Sequence, residues 1–284
     1  MNLMRILPGS FVTAIAVCVI TQTRGEEPRE VTVVQVAPTI RQPGKEVIKL
    51  FNGKNLDGLY TYLKDTGYED PEKVFTVVDG MLHISGEKYG YIATRDAYRD
   101  YHLVAEFKLG KKTWEPRKDR ARDSGIMIHC AGPDGNQGTW MASIEYQIIE
   151  GGVGDLLVVG GKYADGSPVP MSLTCEVTMD RDGENVWRKG GERRTFTGGR
   201  INWYGRDPDW TDTIGFRGHD DVQSPLGEWT RADVICDGGH IVAKVNGRIV
   251  NEGFDAFPTQ GKIIFQSEGA EIFFRRLELH PLEK

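Results

Sequence analysis

Cysteine is scarce, extended basic runs are missing, and no stretch reads as an amphipathic helix of three or more turns. Four cysteines occur in 284 residues. If the first is lost with a leader, Cys130, Cys175 and Cys236 remain, so at most one disulfide forms and one thiol stays free. Their wide spacings match no zinc pattern such as paired C-x-x-C, and buried small hydrophobes are the plain reading. The net charge of −6 argues against nucleic acid, which calls for a clustered basic footprint, and no such cluster is visible. The nearest approach to one, Arg117-Lys-Asp-Arg-Ala-Arg122, is short, interrupted by an acid and reads as a solvated loop. No G-x-G-x-x-G or Walker loop occurs, and no βαβ alternation, so a nucleotide-binding parallel sheet is not expected.

Long apolar runs are also lacking. Phe11 to Ile20 is the best, too short to span a bilayer comfortably. With Arg5 before it and Thr23-Arg-Gly25 after it, residues 1–25 read as an export signal cut after Gly25. Ile15-Ala-Val-Cys18 weakly resembles a lipoprotein cleavage site, but Val19 and Ile20 prolong the apolar run past Cys18, which favours plain export. Residues 26–46 are polar and proline-bearing, a flexible lead-in to a single domain over 47–284.

What is present is turn and strand grammar. Thirty-five glycines, thirteen prolines and 10% aromatics fit many short strands. Val74–Val78, Asp79-Gly80 and Met81–Ser85 spell a hairpin, because Asp-Gly supplies the positive φ angles of a tight turn. In Tyr101–Leu109, Leu103, Ala105, Phe107 and Leu109 share one face, giving a strand with one buried side. Similar runs follow at 125–130, 143–149, 231–236, 240–245, 262–266 and 271–279, with an Asn246-Gly247 turn between two of them. The pattern predicts an all-β antiparallel sandwich. Residues 180–225 read as irregular loops over one sheet face.

The strand Ser143-Ile-Glu-Tyr-Gln-Ile-Ile-Glu150 carries the candidate chemistry. Alternation turns Ile144, Tyr146 and Ile148 inward and sets Glu145 and Gln147 on the opposite face, roughly 7 Å apart. A one-residue bulge near Ile149 would return Glu150 to that face. Two carboxylates in unlike environments can divide acid and base roles, with an amide between them to orient a hydroxyl. The competing reading is an ordinary solvated strand face. His129 alternates with Met127, so it either projects into the same cleft or packs in the core. Trp114, Trp140, Trp203, Tyr204 and Trp210 sit in loop-like segments, where exposed rings can stack on sugars and buried ones simply pack.

Several short motifs add a resemblance. Leu50-Phe-Asn-Gly-Lys-Asn-Leu-Asp-Gly58, Val78-Asp-Gly-Met-Leu82, Ser124-Gly-Ile126, Glu145-Tyr-Gln-Ile148, Gly227-Glu-Trp229, Val245-Asn-Gly247, Gly261-Lys-Ile-Ile-Phe-Gln-Ser-Glu-Gly269 and Phe274-Arg-Arg-Leu277 run in order from about residue 47 to 280. Together they resemble the 3-keto-disaccharide hydrolase domain. The resemblance implies a concanavalin A-like jelly roll of two curved antiparallel sheets, bacterial export to the periplasm or medium, and a carbohydrate substrate. It also implies cleavage of glycosides whose ring carries a 3-ketone. A C3 ketone acidifies the C2 proton; a base removes it, the C1 substituent leaves, and water adds back.

On this resemblance Glu145 and Gln147 stand on the family's E-x-Q strand and Arg275 on its closing F-R. Glu145, Glu150 and His129 are the expected acid/base groups, with Gln147, Arg275 and Ser124 as substrate-binding groups. His129 replaces the usual arginine, Glu150 stands where Asp is common, and Thr230 follows Trp229 where the family has Asn. Two other functions compete. An ordinary retaining glycosidase would use E-x-D-x-x-E, but Gln147 takes the place of the middle aspartate. A non-catalytic sugar-binding module would show stacking aromatics without paired carboxylates. No catalytic metal or other cofactor is expected. Related lectin-like sandwiches hold structural calcium through carboxylates, and Asp180-Arg-Asp-Gly183 is the loop to consider, with a plain turn as its alternative.

Overall fold

A computed structural model describes residues 38–283. The expected export signal and Cys18 lie outside the described residues. The compact unit runs from Ile40 onward. Its first strand, Ile40–Arg41, falls within the stretch read as a lead-in and pairs in parallel with Ala97–Tyr98.

The remaining strands form the expected all-β jelly-roll sandwich. Seven strands make one sheet, in the spatial order Gly199–Ile201, Leu156–Val159, Ala142–Ile149, Asp123–Ala131, Lys262–Ser267, Gly90–Thr94 and Leu59–Leu63. The other sheet has eleven strands and is centred on Thr230–Asp237, Tyr101–Thr113 and Ala270–His280. Every pairing in both sheets is antiparallel. Among the described residues the only helical element is the 3₁₀ turn Asn136–Gly138, and no helix is long and apolar enough to cross a membrane.

Local sequence explains the turns. Phe75–Val78 and Met81–Ile84 pair across Asp79 and Gly80, whose φ angles are 50° and 76°. Asn246 and Gly247 close the second hairpin with φ of 48° and 82°. Both turns therefore have the double positive φ that matches strand twist.

The core lies between the sheets. Ile126, Ile144, Tyr146, Ile148 and Phe265 come from the seven-stranded sheet, and Leu103, Ala105, Phe107, Val234 and Phe274 from its partner. Phe274 sits between Phe265 and Phe107, at ring distances of 5.3 and 6.3 Å. Each such ring contributes roughly 1.5–3 kcal/mol by leaving water. Cys130, Cys175 and Cys236 are all buried and all free, so none of the pairings left open by the odd count forms.

Residues 180–201 are more regular than expected. Asn185–Trp187 and Glu192–Phe196 extend the eleven-stranded sheet, and Gly199–Ile201 adds an edge strand to the seven-stranded one. Their charged composition fits edge strands, which keep one side chain row in water. The true loop is 202–229, and it folds back to the 117–122 segment through Asp212, which accepts hydrogen bonds from Arg117 and the Ala121 NH.

Candidate active site

The outer face of the seven-stranded sheet collects a row of alternating positions from adjacent strands. Arg200, Leu157, Glu145, Met127, Ile264, Ala93 and Tyr60 are cross-strand partners in sequence across the whole sheet. One step along, Gln147 pairs with Gly125, and Gln266 pairs with Tyr91, itself opposite Tyr62. Asp123 lies two residues beyond Gly125 on the same strand face. The face is thus polar toward Gly199–Ile201 and aromatic toward Leu59–Leu63.

Gly125 is the gap in this floor. A Cβ there would stand 2.3 Å from Gln266 Oε1 and 2.6 Å from Glu145 Oε1, so both side chains lean over the glycine. Glu145 and Asp123 are each only 5% exposed. Burial, reinforced by the Asp123 charge and opposed by Arg200, pushes the Glu145 carboxyl up to about 8. Burial lifts Asp123 to about 7 against the pull of Arg117 and Arg200. Glu268, which follows the Lys262–Ser267 strand, is raised well above the carboxylate range by burial and by both of these neighbours. Burial thus raises all three carboxyls above their ordinary range, and the Asp123 charge raises Glu145 and Glu268 further.

Two guanidiniums hold this cluster. Arg117 Nη2 stands 3.4 Å from Asp123 and donates to Asp212 at 2.8 Å and to the Ala121 carbonyl at 2.8 Å. Arg200 comes from the edge strand, where fully buried Asp155 accepts from it at 2.7 Å and from Arg206 at 2.6 Å. The other oxygen of Asp155 accepts the Trp203 NH at 2.8 Å. Asp155 thus positions Arg200 without occupying the cleft. Asp123 Oδ1 and Gln266 Oε1 are buried acceptors with no partner in the chain, as befits atoms that meet a ligand or water.

Only Glu145 and Gln147 of the expected residues belong here, and Gln147 uses Oε1 to accept the Ile148 NH at 2.9 Å. Glu150 does not join them. No bulge occurs at Ile149, which pairs in register with Asp123, so Glu150 keeps the parity of the inward residues. There it forms a buried pair with Arg122 at 2.8 Å and accepts the Arg122 and Gly215 amides. The bulge lies instead in the neighbouring strand, around His129, whose φ is 52°. That turn removes the ring from the cleft and sets it edge-on to core Tyr101 at 6.3 Å. Burial lowers His129 to about 4, so it stays neutral. Ser124 alternates inward and donates to the Gln266 carbonyl at 3.0 Å. Arg275 lies on the exposed side of the other sheet, paired with Glu106 at 2.5 Å and stacked over Trp229 at 4.4 Å.

The residues that sequence reasoning missed had unequal signals. Asp123 alternates with Gly125 and Met127, and Gln266 and Glu268 sit inside the Gly261–Gly269 motif, so period two reaches them. Arg200 and Asp155 had none, because they meet only through pairing of the edge strand. Of the aromatics, Trp203 is core, Trp114 and Trp210 donate to the Ser85 and Glu150 carbonyls, and half-buried Tyr204 packs on Trp203. Trp140 alone borders the cleft, beside Tyr89 and Tyr91 at 6.4 Å each.

Among the described residues, no group of three or more His, Cys, Asp or Glu side chains is gathered to hold a metal ion. In the loop considered for calcium, Asp180 Oδ1 accepts the Asp182 and Glu184 amides at 2.9 Å each, closing a turn.

The two antiparallel sheets and the buried acid pair on one outer face define an all-β jelly-roll protein with a candidate acid/base site. The chain belongs to the family of the 3-keto-alpha-glucoside-1,2-lyase-like domain, whose family model matches residues 46–280. No curated protein sequence matches it. Solved structures similar to it include two glycosyl hydrolase candidates from Parabacteroides distasonis. One is 18% identical over 84% of this chain and 94% of its own, with a TM-score of 0.48. The second is 21% identical over 84% and 100%, with a TM-score of 0.46. A Bacillus licheniformis beta-glucanase is 10% identical over 84% and 99%, with a TM-score of 0.42.

Proposed function

We propose that this protein cleaves 3-keto glycosides by elimination and hydration. The observation that carries the reading is the buried Glu145–Asp123 pair at the gap left by Gly125, with half-buried Glu268 on the next strand and Arg200 and Arg117 flanking it. Near neutral pH the Glu145–Asp123 pair holds a charge and a proton between them, and the ionised member takes the C2 proton. The electron pair moves onto the C3 oxygen, next to Arg200, which stabilises the enolate. The enolate then collapses, C1=C2 forms and the C1–O bond breaks. Glu268, kept protonated by its neighbours, gives its proton to the leaving oxygen. Water adds at C1 and a proton returns to C2, so the sum is hydrolysis.

Every step uses side chains of this chain, and activity is expected to survive chelation. The ordinary retaining glycosidase loses support, because Glu150, its second carboxylate, is committed to Arg122 on the other side of the strand. Export belongs to the proposal too, supported by residues 1–25 and checked by the N-terminus of the protein recovered outside the cytoplasm.

The test uses two matched disaccharides, one oxidised at C3 and one not, with the wild type and Glu145→Ala. Reducing sugar is expected from the keto substrate alone, and the variant should release at least roughly 10²-fold less. Cleavage of the unoxidised sugar by the wild type would overturn the reading.

A further inference from the structure

The aromatic half of the outer face is not uniformly covered. The loop between Ala131 and Ala142 folds over it and is pinned by Asp134, which accepts the hydroxyls of Tyr60 and Tyr91 at 2.7 Å and of Tyr68 at 3.1 Å. Tyr62 stacks on Tyr91 beneath the loop at 5.5 Å, and Tyr91 is fully buried. Two rings stay half-exposed at the edge of this cover: Trp140, at its end, and Tyr89, just before the Gly90–Thr94 strand. They stand 6.4 Å apart with a 45° tilt, an open V rather than a closed stack.

Tyr89 also belongs to the acid cluster. Gly90 pairs with Ser267, and Ser267 Oγ donates to the Lys88 carbonyl at 2.6 Å, so Tyr89 and Glu268 are the next positions on two adjacent strands. The V therefore stands beside the carboxyls, on the side of the sheet away from Arg200. Gly125 and the Gly90–Thr94 strand are two strand spacings apart, about 10 Å, which is room for a second ring beside the reacting one.

From this the geometry points to Trp140 and Tyr89 as the subsite for the leaving group, taking a leaving group that is itself a ring with a flat C–H or aromatic face. The inference rests on the elimination reading. In the reacting sugar C1 and C3 flank C2. With the C3 oxygen at Arg200 and C2 over Gly125, C1 points to Glu268 and its substituent falls between Trp140 and Tyr89. The indole supplies the stacking face, and the protonated phenol of Tyr89 donates to a hydroxyl or ring oxygen. A leaving group without a ring leaves the V to water.

The experiment compares 3-keto-glucosides with methyl, phenyl and glucosyl leaving groups in wild type, Trp140→Ala and Trp140→Phe. Relative to methyl, kcat/KM for both ring-bearing substrates is expected to fall about tenfold in Trp140→Ala and to recover in Trp140→Phe. Loss for phenyl alone assigns the subsite to aryl groups, and loss for glucosyl alone to sugars; either supports it. An equal fall for all three substrates overturns it. If no substrate is cleaved, the elimination reading has failed, and calorimetric titration of phenyl glucoside decides the subsite by itself. Binding weakened about tenfold by Trp140→Ala supports it, and unchanged or absent binding overturns it.

Discussion

Glu145 leans over Gly125 of the neighbouring strand, two residues from Asp123, and burial, reinforced by the Asp123 charge, holds its carboxyl back from ionising. Neither has the arginine to itself: Arg200 is anchored by Asp155 and Arg117 by Asp212. The pair is thus short of positive charge, buried, and titrates at about 7 and about 8.

Activity should follow that titration. The base must be ionised, so kcat/KM is expected to rise through about pH 7 as the pair loses its first proton. Arg200 lowers both carboxyls. Arg200→Ala should therefore move the rise to higher pH as well as lower the rate, a shift read directly from the pH–rate profile. An unmoved profile in that variant would separate Arg200 from the acid pair.

Stability should run the other way. Unfolded Asp and Glu titrate near about 4, so between there and about 8 the folded chain binds more protons, and stability falls as pH rises. His129, lowered to about 4, opposes this only below its unfolded value of about 6.5. The clean window is therefore about pH 6.5 to 8, where Tm should decline. Glu145→Gln should flatten the decline and gain about 1–3 kcal/mol at pH 8 while losing activity. Thermal melts across that window decide it.

Gly125→Ala isolates the gap. Its backbone is not in the left-handed region, so an added methyl acts through contact alone, displacing Glu145 and Gln266. We expect a loss of about 10–100-fold in kcat with a stability cost of only about 1–3 kcal/mol. Near wild-type activity would mean that nothing reacts over Gly125.

Glu150 and Arg275 supply the contrast. Glu150→Ala leaves Arg122 buried and unpaired and should cost about 3–5 kcal/mol of stability. Arg275→Ala, on an exposed face of the other sheet, should change activity by less than about twofold. Urea unfolding and steady-state rates on the two variants check both.

Local rules went a long way. Asp79-Gly80 and Asn246-Gly247 dictate their turns wherever the strands lie, because positive φ is a property of those residues. Period two places Glu145 and Gln147 on one face and buries Ile144, Tyr146 and Ile148, because a strand alternates regardless of its partners. The same rule, applied without a bulge, already sends Glu150 inward. What period two cannot supply is the location of bulges or the neighbours across a sheet. Only the tertiary structure put the extra residue at His129, turning its ring to Tyr101, and only the edge pairing of Gly199–Ile201 brought Arg200 into line with Glu145 across some 55 positions of sequence. The proton affinity of the cluster was likewise a tertiary outcome. It comes from burial and from charges delivered by separate strands, and neither has a signature in the residues taken one at a time.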